Sequence, residues 1–321
     1  MQEDPSAIVF RLTILLLVVV AGWFVRRRAW LGDTATQILG RICVDVCFPC
    51  LTFVQMLRIV GDRPLRGQGH LLLIGMILMT VALCGGLWLL RGVAQPIRRS
   101  AWLAAAMPNW LFFPLPIAAL FYGEDGLATV LLVNVTAQFY LWTTSVGILR
   151  GFRNTMRTGL IHLANPGLLA TLAGALIAAF VPSSRTWLDA PGFTGHFWQL
   201  VEAVGAPTIT LSMLVTGSQL GAIPRGWGMD RLSWRVLNAR LIVLPGASLA
   251  ALWALSHWIA LSAETWRSAV MIAAMPVAVS CGVLVERYGG DRHFTSRAIL
   301  VTTVGAVVTV PIWMYVAALV F

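Results

Sequence analysis

The chain contains no lysine; all 23 of its basic residues are arginine. Charge of either sign is scarce, 11% of residues with 13 acids in total, where a soluble globular domain carries about a quarter. That shortfall excludes a soluble enzyme or binding domain with an ordinary hydrated surface. A net charge of +10 would suggest nucleic acid in a soluble chain, but most of these arginines sit in short loops between apolar runs. That is a pattern of membrane topology, so nucleic acid is set aside as a partner. No disulfide framework is indicated either, because Cys43, Cys47, Cys50, Cys84 and Cys281 all lie in apolar segments. Cys43, Cys47 and Cys50 share a helix face at i, i+4, i+7 spacing, but no histidine or second cysteine pair supports a metal, and they read as small packing residues. The H-E-x-x-H, P-loop and G-x-S-x-G motifs are missing, as is any cluster of histidine with carboxylates. An enzyme working inside a membrane would need a nucleophile or a metal set there, and none assembles. No cofactor and no catalytic residue is expected.

What the chain has is apolar length. Hydrophobic residues make up 58% of it, and its mean hydropathy is +0.81. A spanning helix needs roughly 20 apolar residues. Ten such runs are predicted, over 7–25, 36–57, 70–90, 101–122, 127–149, 161–181, 197–221, 236–256, 265–286 and 298–320. Gly and Pro punctuate the connections, and no connection is long enough for a soluble domain. Glu3 and Asp4 precede the first run and Arg26, Arg27 and Arg28 follow it, the reverse of a secretory signal, so it reads as a first span starting outside. Alternating from there puts 17 arginines on the cytoplasmic side, Arg98, Arg99, Arg235 and Arg240 among them, against 6 outside. The asymmetry predicts a multi-pass protein of the cytoplasmic membrane with both termini outside.

Two of the ten runs are interrupted. Ala104–Gly126 holds Pro108, Pro114 and Pro116, and Ala273–Asp291 holds Pro276. A proline inside a helix removes a donor and clashes with the carbonyl four residues back. Lipid cannot satisfy the freed groups, so such a segment must be packed in protein or line a cavity. Both stretches open with Ala-Ala-Met-Pro and close with Tyr-Gly-x-Asp, offset by 168 residues at the prolines and 166 at the tyrosines. The matched ends indicate a duplicated unit, 1–150 and 151–321, each half with five spans. An odd number of spans makes the two halves inverted in the membrane. Inverted repeats with paired broken helices are a transporter architecture, with the binding site at the breaks. Duplication within one chain favours a carrier over a channel, which usually forms from several subunits around a ring.

Polar residues within the spans are the candidate functional groups. Asn109 follows the first break, where it can bond another helix, an ion or a substrate and can also cap the half-helix that restarts there, two compatible roles. The equivalent position in the second half is Val277, and Ser280 is the polar side chain near that break. Asp45 lies about nine residues into the second span, near mid-bilayer at about 14 Å depth. It is a candidate for ion coupling, with an internal salt bridge or a protonated structural acid as the plainer reading. Glu202 occupies a pseudo-equivalent place in the seventh span, nearer its outer end. Asn134 and Gln138 share a face of the fifth span, and Thr208, Thr210, Ser212 and Thr216 lie on the seventh; most such hydroxyls join helices. His162 and Asn165-Pro166 mark the start of the sixth span as its cap.

At the breaks the chain resembles the auxin efflux carrier family, the PIN-like carriers of bacteria and plants. Asn109 through Pro116, then Ile117 and Tyr122-Gly123-Glu124, is similar to that family's N-x-x-x-x-G-x-P-I…F-G-x-x-G stretch. Asn165-Pro166 with Gly174, Pro207 to Gly217 with Leu220, and Met275-Pro276 to Tyr288-Gly289 resemble its later motifs in order. Two positions depart from the pattern: Pro114 stands where the family has Gly, and Ser280 where it has Asn. The resemblance implies ten helices in inverted five-helix repeats, with broken helices crossing at Pro116 and Pro276. The superfamily includes bile acid, arsenite and riboflavin carriers. It further implies elevator-type carriage of an organic anion, such as a mono- or dicarboxylate of the malonate kind. The substrate residues it points to are Pro108, Asn109, Pro116, Pro276 and Ser280, with Asn134 and Gln138 beside them. The partners are then a small organic anion, the lipid bilayer and, for a coupled carrier like the bile acid symporters, H⁺ or Na⁺. A homodimer is compatible with all of this.

Overall fold

The computed structural model describes residues 17–62, 69–94, 97–150, 165–222 and 230–321. Among these residues all regular structure is helical, with no strand. Six helices are long and apolar enough to cross a membrane: Asp33–Arg58, Gly69–Leu89, Gly123–Leu149, Phe193–Ala222, Arg231–Ser256 and Arg292–Val320. They coincide with six of the uninterrupted runs in the sequence. The first run is described only from 17 onward, helical over 17–27. The sixth is the shorter helix Pro166–Phe180, capped by Asn165, whose side-chain oxygen accepts from the Leu168 N–H at 2.9 Å. His162 lies outside the described residues. Large apolar side chains face outward in many places, with Phe180 81% and Trp258 87% exposed. A soluble protein would not leave so much of its surface apolar.

The chain forms two compact units, and neither follows a half of the sequence. One consists of Met1–His70 and Ala164–Ala222, the other of Leu71–Leu163 and Ile223–Phe321. Each takes its helices from corresponding places in the first and second halves.

In the first unit, close helix contacts are made by small residues. A Cβ on Gly174 would meet the Phe53 carbonyl oxygen at 2.8 Å, and one on Gly217 would meet the Val19 carbonyl oxygen at 1.9 Å. Backbones approach that closely only where the side chain is missing. The buried hydroxyls of Thr36 and Ser218 share a hydrogen bond of 2.7 Å.

The second unit holds both interrupted runs. Each is two short helices with irregular chain between them: Ile97–Ala106 and Pro114–Phe121 in the first, Ala263–Ala273 and Ser280–Tyr288 in the second. Three long helices, meanwhile, pass through a π-helical turn, at Cys43–Cys47, Leu141–Ser145 and Ala239–Val243. Such turns re-aim side chains within a continuous helix and are frequent at functional sites.

Candidate functional site

The breaks begin with local chemistry. Pro108 and Pro276 each follow a methionine after an alanine-rich helix, and the residue before a proline is pushed towards extended backbone. The first helices accordingly stop at Ala106 and Ala273. Pro114 and Pro116 sit in the first turn of the restarted helix. There an N–H would have no acceptor within the helix, so losing it is harmless.

The two irregular stretches solve their backbone problem together. The Asn109 N–H donates to the Pro276 carbonyl at 2.8 Å, and the Ala278 N–H donates to the Met107 carbonyl at 3.0 Å. These two bonds form an isolated antiparallel bridge between Pro108 and Val277. The Val277 N–H donates to the Thr302 hydroxyl at 3.1 Å. All of this is inside the unit: Met107, Met275 and Thr302 are fully buried, and Val277 is 1% exposed. The meeting point is therefore Pro108 with Val277. Pro116, expected there from the family resemblance, lies eight residues beyond Pro108 in the next helix.

The diverted N–H groups leave two carbonyls behind. In an unbroken helix the Asn109 N–H would bond to Ala105 and the Val277 N–H to Ala273. Arg240 takes both places. Its Nη1 donates to the Ala105 carbonyl at 3.0 Å and its Nη2 to the Ala273 carbonyl. The side chain is 1% exposed, and its Nε has no partner among the described residues. Arg240 sits in the π turn Ala239–Val243. The count of cytoplasmic arginines made from the sequence must therefore lose it: it is interior, not a loop charge.

Several polar groups picked out in the sequence belong to the same unit as the bridge. Asn109 is 5% exposed, and its side-chain amide has no hydrogen bond among the described residues. It does not cap the restarted helix, whose cap position is Phe113. Asn134 is fully buried; its Oδ1 accepts from the Trp110 Nε1 at 3.1 Å and its Nδ2 is left without a partner. Gln138, one turn on, accepts from the Trp142 Nε1 at 3.1 Å. Ser280 is the half-buried first residue of the second restarted helix. The structure thus brings Pro108, Asn109 and Pro276 together directly, with Asn134 joined to the first break through Trp110.

Asp45 and Glu202 belong to the other unit. Asp45 lies in the π turn Cys43–Cys47 and is exposed, between outward-facing Val44 and Val46. No salt bridge engages it among the described residues, which removes the internal ion pair as its explanation. Glu202 is paired with Arg58 at 2.8 Å, both side chains being about two-fifths exposed (38% for Arg58 and 41% for Glu202). The five cysteines are unpaired thiols, with Cys43, Cys47 and Cys281 buried.

Arg240 is the group that sequence reasoning missed at this site. Its position inside an apolar run, four residues before Leu244-Pro245, was the available signal.

A family model described as membrane transport protein matches residues 7–160 and 154–314 of the chain. A protein of Methanothermobacter thermautotrophicus described as an uncharacterized transporter is 25% identical over 318 residues, covering 94% of this chain and 96% of its own length.

Proposed function

The chain belongs to the membrane transport protein family of the auxin efflux carriers, and from that premise we propose that it is a secondary carrier of a small organic anion, a mono- or dicarboxylate. The observation that carries this reading is the bridge between the two breaks, with the Asn109 side chain beside it and the Asn134 Nδ2, joined to the first break through Trp110, left without a partner. A restarted helix begins shortly after each break, at Pro114 and at Ser280. Each such N-terminus carries about half a positive charge, which favours a carboxylate, while Pro114 and Pro116 have no N–H to offer and the Leu115, Cys281 and Gly282 N–H groups are already bonded to backbone carbonyls. Asn109 and Asn134 supply side-chain donors, with Ser280 and Gln138 at the margin. The reading is of ten spans in two inverted repeats, 1–150 and 151–321. The interleaving of the two units supports it, since each draws on both halves at corresponding positions. In an elevator cycle the unit holding the breaks carries the anion while the other stays fixed. Asp45 is then the candidate proton-coupling group on the fixed unit, and Glu202 a weaker one because Arg58 already engages it. Both termini lie outside the cytoplasmic membrane in this topology.

The test is uptake of labelled carboxylates, from acetate to malonate and succinate, into liposomes reconstituted with purified protein. Saturable uptake of an anion, with a matching rise in melting temperature, is expected. Transport of cations or neutral solutes with no response to any carboxylate would overturn the reading.

A further inference from the structure

We propose that Arg240 is a cation built into the chain, standing where an ion-coupled carrier would hold a metal cation, so that this carrier cycles without sodium. The inference rests on the transport reading above and deepens it.

In carriers built on paired broken helices, unwound carbonyls and half-helix C-terminal ends are the ligands for a coupling cation. Those ends carry carbonyls without helical partners and a partial negative charge of about half a unit each. Two of them together ask for one positive charge. Here Ala105, next to last in Ile97–Ala106, and Ala273, last in Ala263–Ala273, both accept from one guanidinium. The fixed fork of a guanidinium suits two acceptors at once, which an ammonium or a small metal ion would bind differently.

A buried arginine within a membrane is costly unless it is paired, and its usual partner is a carboxylate. No carboxylate engages Arg240 among the described residues, where the ion pairs are Arg26–Asp33, Arg58–Glu202 and Arg297–Asp230. The counter-charge is the pair of helix ends. The bonds also fix the geometry of the site: Arg240 holds the two first half-helices to one point, next to the bridge in which the Asn109 and Ala278 N–H groups donate to the Pro276 and Met107 carbonyls. It is a positioning residue for the anion and a substitute for a metal.

The experiment uses detergent-purified full-length protein and its Arg240→Ala variant. Melting temperatures are measured in millimolar sodium, potassium, choline and guanidinium chlorides at matched ionic strength, with urea as a control for the guanidinium shape. The wild type should melt at the same temperature in all four salts. Arg240→Ala should melt lower and recover in guanidinium but not in choline or urea, because the free ion refills the cavity by mass action. In liposomes, wild-type uptake should be equal in sodium and choline, while Arg240→Ala should lose uptake and regain part of it in guanidinium. A sodium-specific rise in wild-type melting temperature, or uptake that requires sodium, would overturn the proposal, as would Arg240→Ala responding to guanidinium no more than to choline. If Arg240→Ala does not fold, Arg240→Lys replaces it: it keeps the charge without the fork, and guanidinium-independent, wild-type melting in that variant counts against the bridging role. The melting arm needs no substrate. It therefore stands or falls separately from the anion reading, which fails only if no carboxylate is taken up in any salt.

Discussion

Asn134 offers the sharpest perturbation of the proposed anion site. Its side chain is fully buried, with Oδ1 occupied by Trp110 and Nδ2 unpaired. Asn134→Asp is nearly isosteric and leaves an oxygen to accept from Trp110, while converting the free donor into an acceptor. If Nδ2 binds the substrate carboxylate, the loss is one hydrogen bond to a charged group, about 1.5–3 kcal/mol. At about 1.4 kcal/mol per decade, that is roughly a ten- to hundredfold drop in affinity. An ionised aspartate would add repulsion and push the drop to the upper end. Binding is read by titrating the preferred carboxylate into purified protein, with the melting temperature of the unliganded variant as the control for folding. Asn109→Ala should show a drop of the same order, since its amide is also unpaired. A folded Asn134→Asp that binds the anion within about threefold of wild type, less than 1 kcal/mol, would show that Nδ2 is not a ligand, and would refute the placement of the site at the first break.

Three other outcomes follow from the geometry. Asp230 caps the helix Arg231–Asn238 by accepting from the Ser233 N–H at 2.7 Å, and lies 3.4 Å from Arg297. Burial works to raise its carboxyl, but the bonds from Ser233 and Leu232 and the Arg297 charge together outweigh it and hold the group below the usual carboxylate range. With the folded value depressed, the stabilisation is present above the unfolded value and is lost as pH falls through the folded one. Asp230→Asn keeps the cap, so its melting temperature should be less sensitive to acid than that of the wild type, while Asp230→Ala should lose about 1 kcal/mol at neutral pH as well. Gly174→Ala forces a Cβ to 2.8 Å from the Phe53 oxygen and 2.9 Å from the Met56 Cβ; it should destabilise the first unit by about 1–3 kcal/mol, read as a fall in melting temperature. Asp45→Asn should lower uptake with melting unchanged, and uptake equal to that of the wild type would remove Asp45 from the coupling mechanism.

The parts of this protein legible in its sequence are those governed by short-range chemistry. Ala-Ala-Met-Pro marks both breaks because the proline has no N–H to give the helix and pushes the methionine before it towards extended backbone. Asn165-Pro166 marks a helix start because the side-chain oxygen and the missing N–H both fit the first turn. The interior was harder. Of the two roles read for Asn109, the cap fails because it placed the restart directly after the break. The helix resumes instead at Pro114, since residues 107–109 are spent on the bridge with Met275–Ala278. Arg240, counted with the cytoplasmic arginines, lies in the interior instead, while Asp45 is exposed. Both lie in π turns, which add a residue to the turn and rotate the side chain away from the face that a regular period predicts. Asp45 turns outward, and Arg240 turns into the core.

The breaks and Arg240 together suggest how much charge the site can hold. The two first half-helices end with about half a negative charge each, and one guanidinium cancels them. The two restarted helices begin with about half a positive charge each, close along the chain to the bridge, and nothing ionic among the described residues cancels those. What is left is about one positive charge, enough for one carboxylate. Had the helix ends been left to a mobile metal ion, this balance would depend on the ion being bound. With an arginine it is constant, and on the proposed carrier reading the neutral amides of Asn109 and Asn134 select the shape of the anion without having to supply its counter-charge.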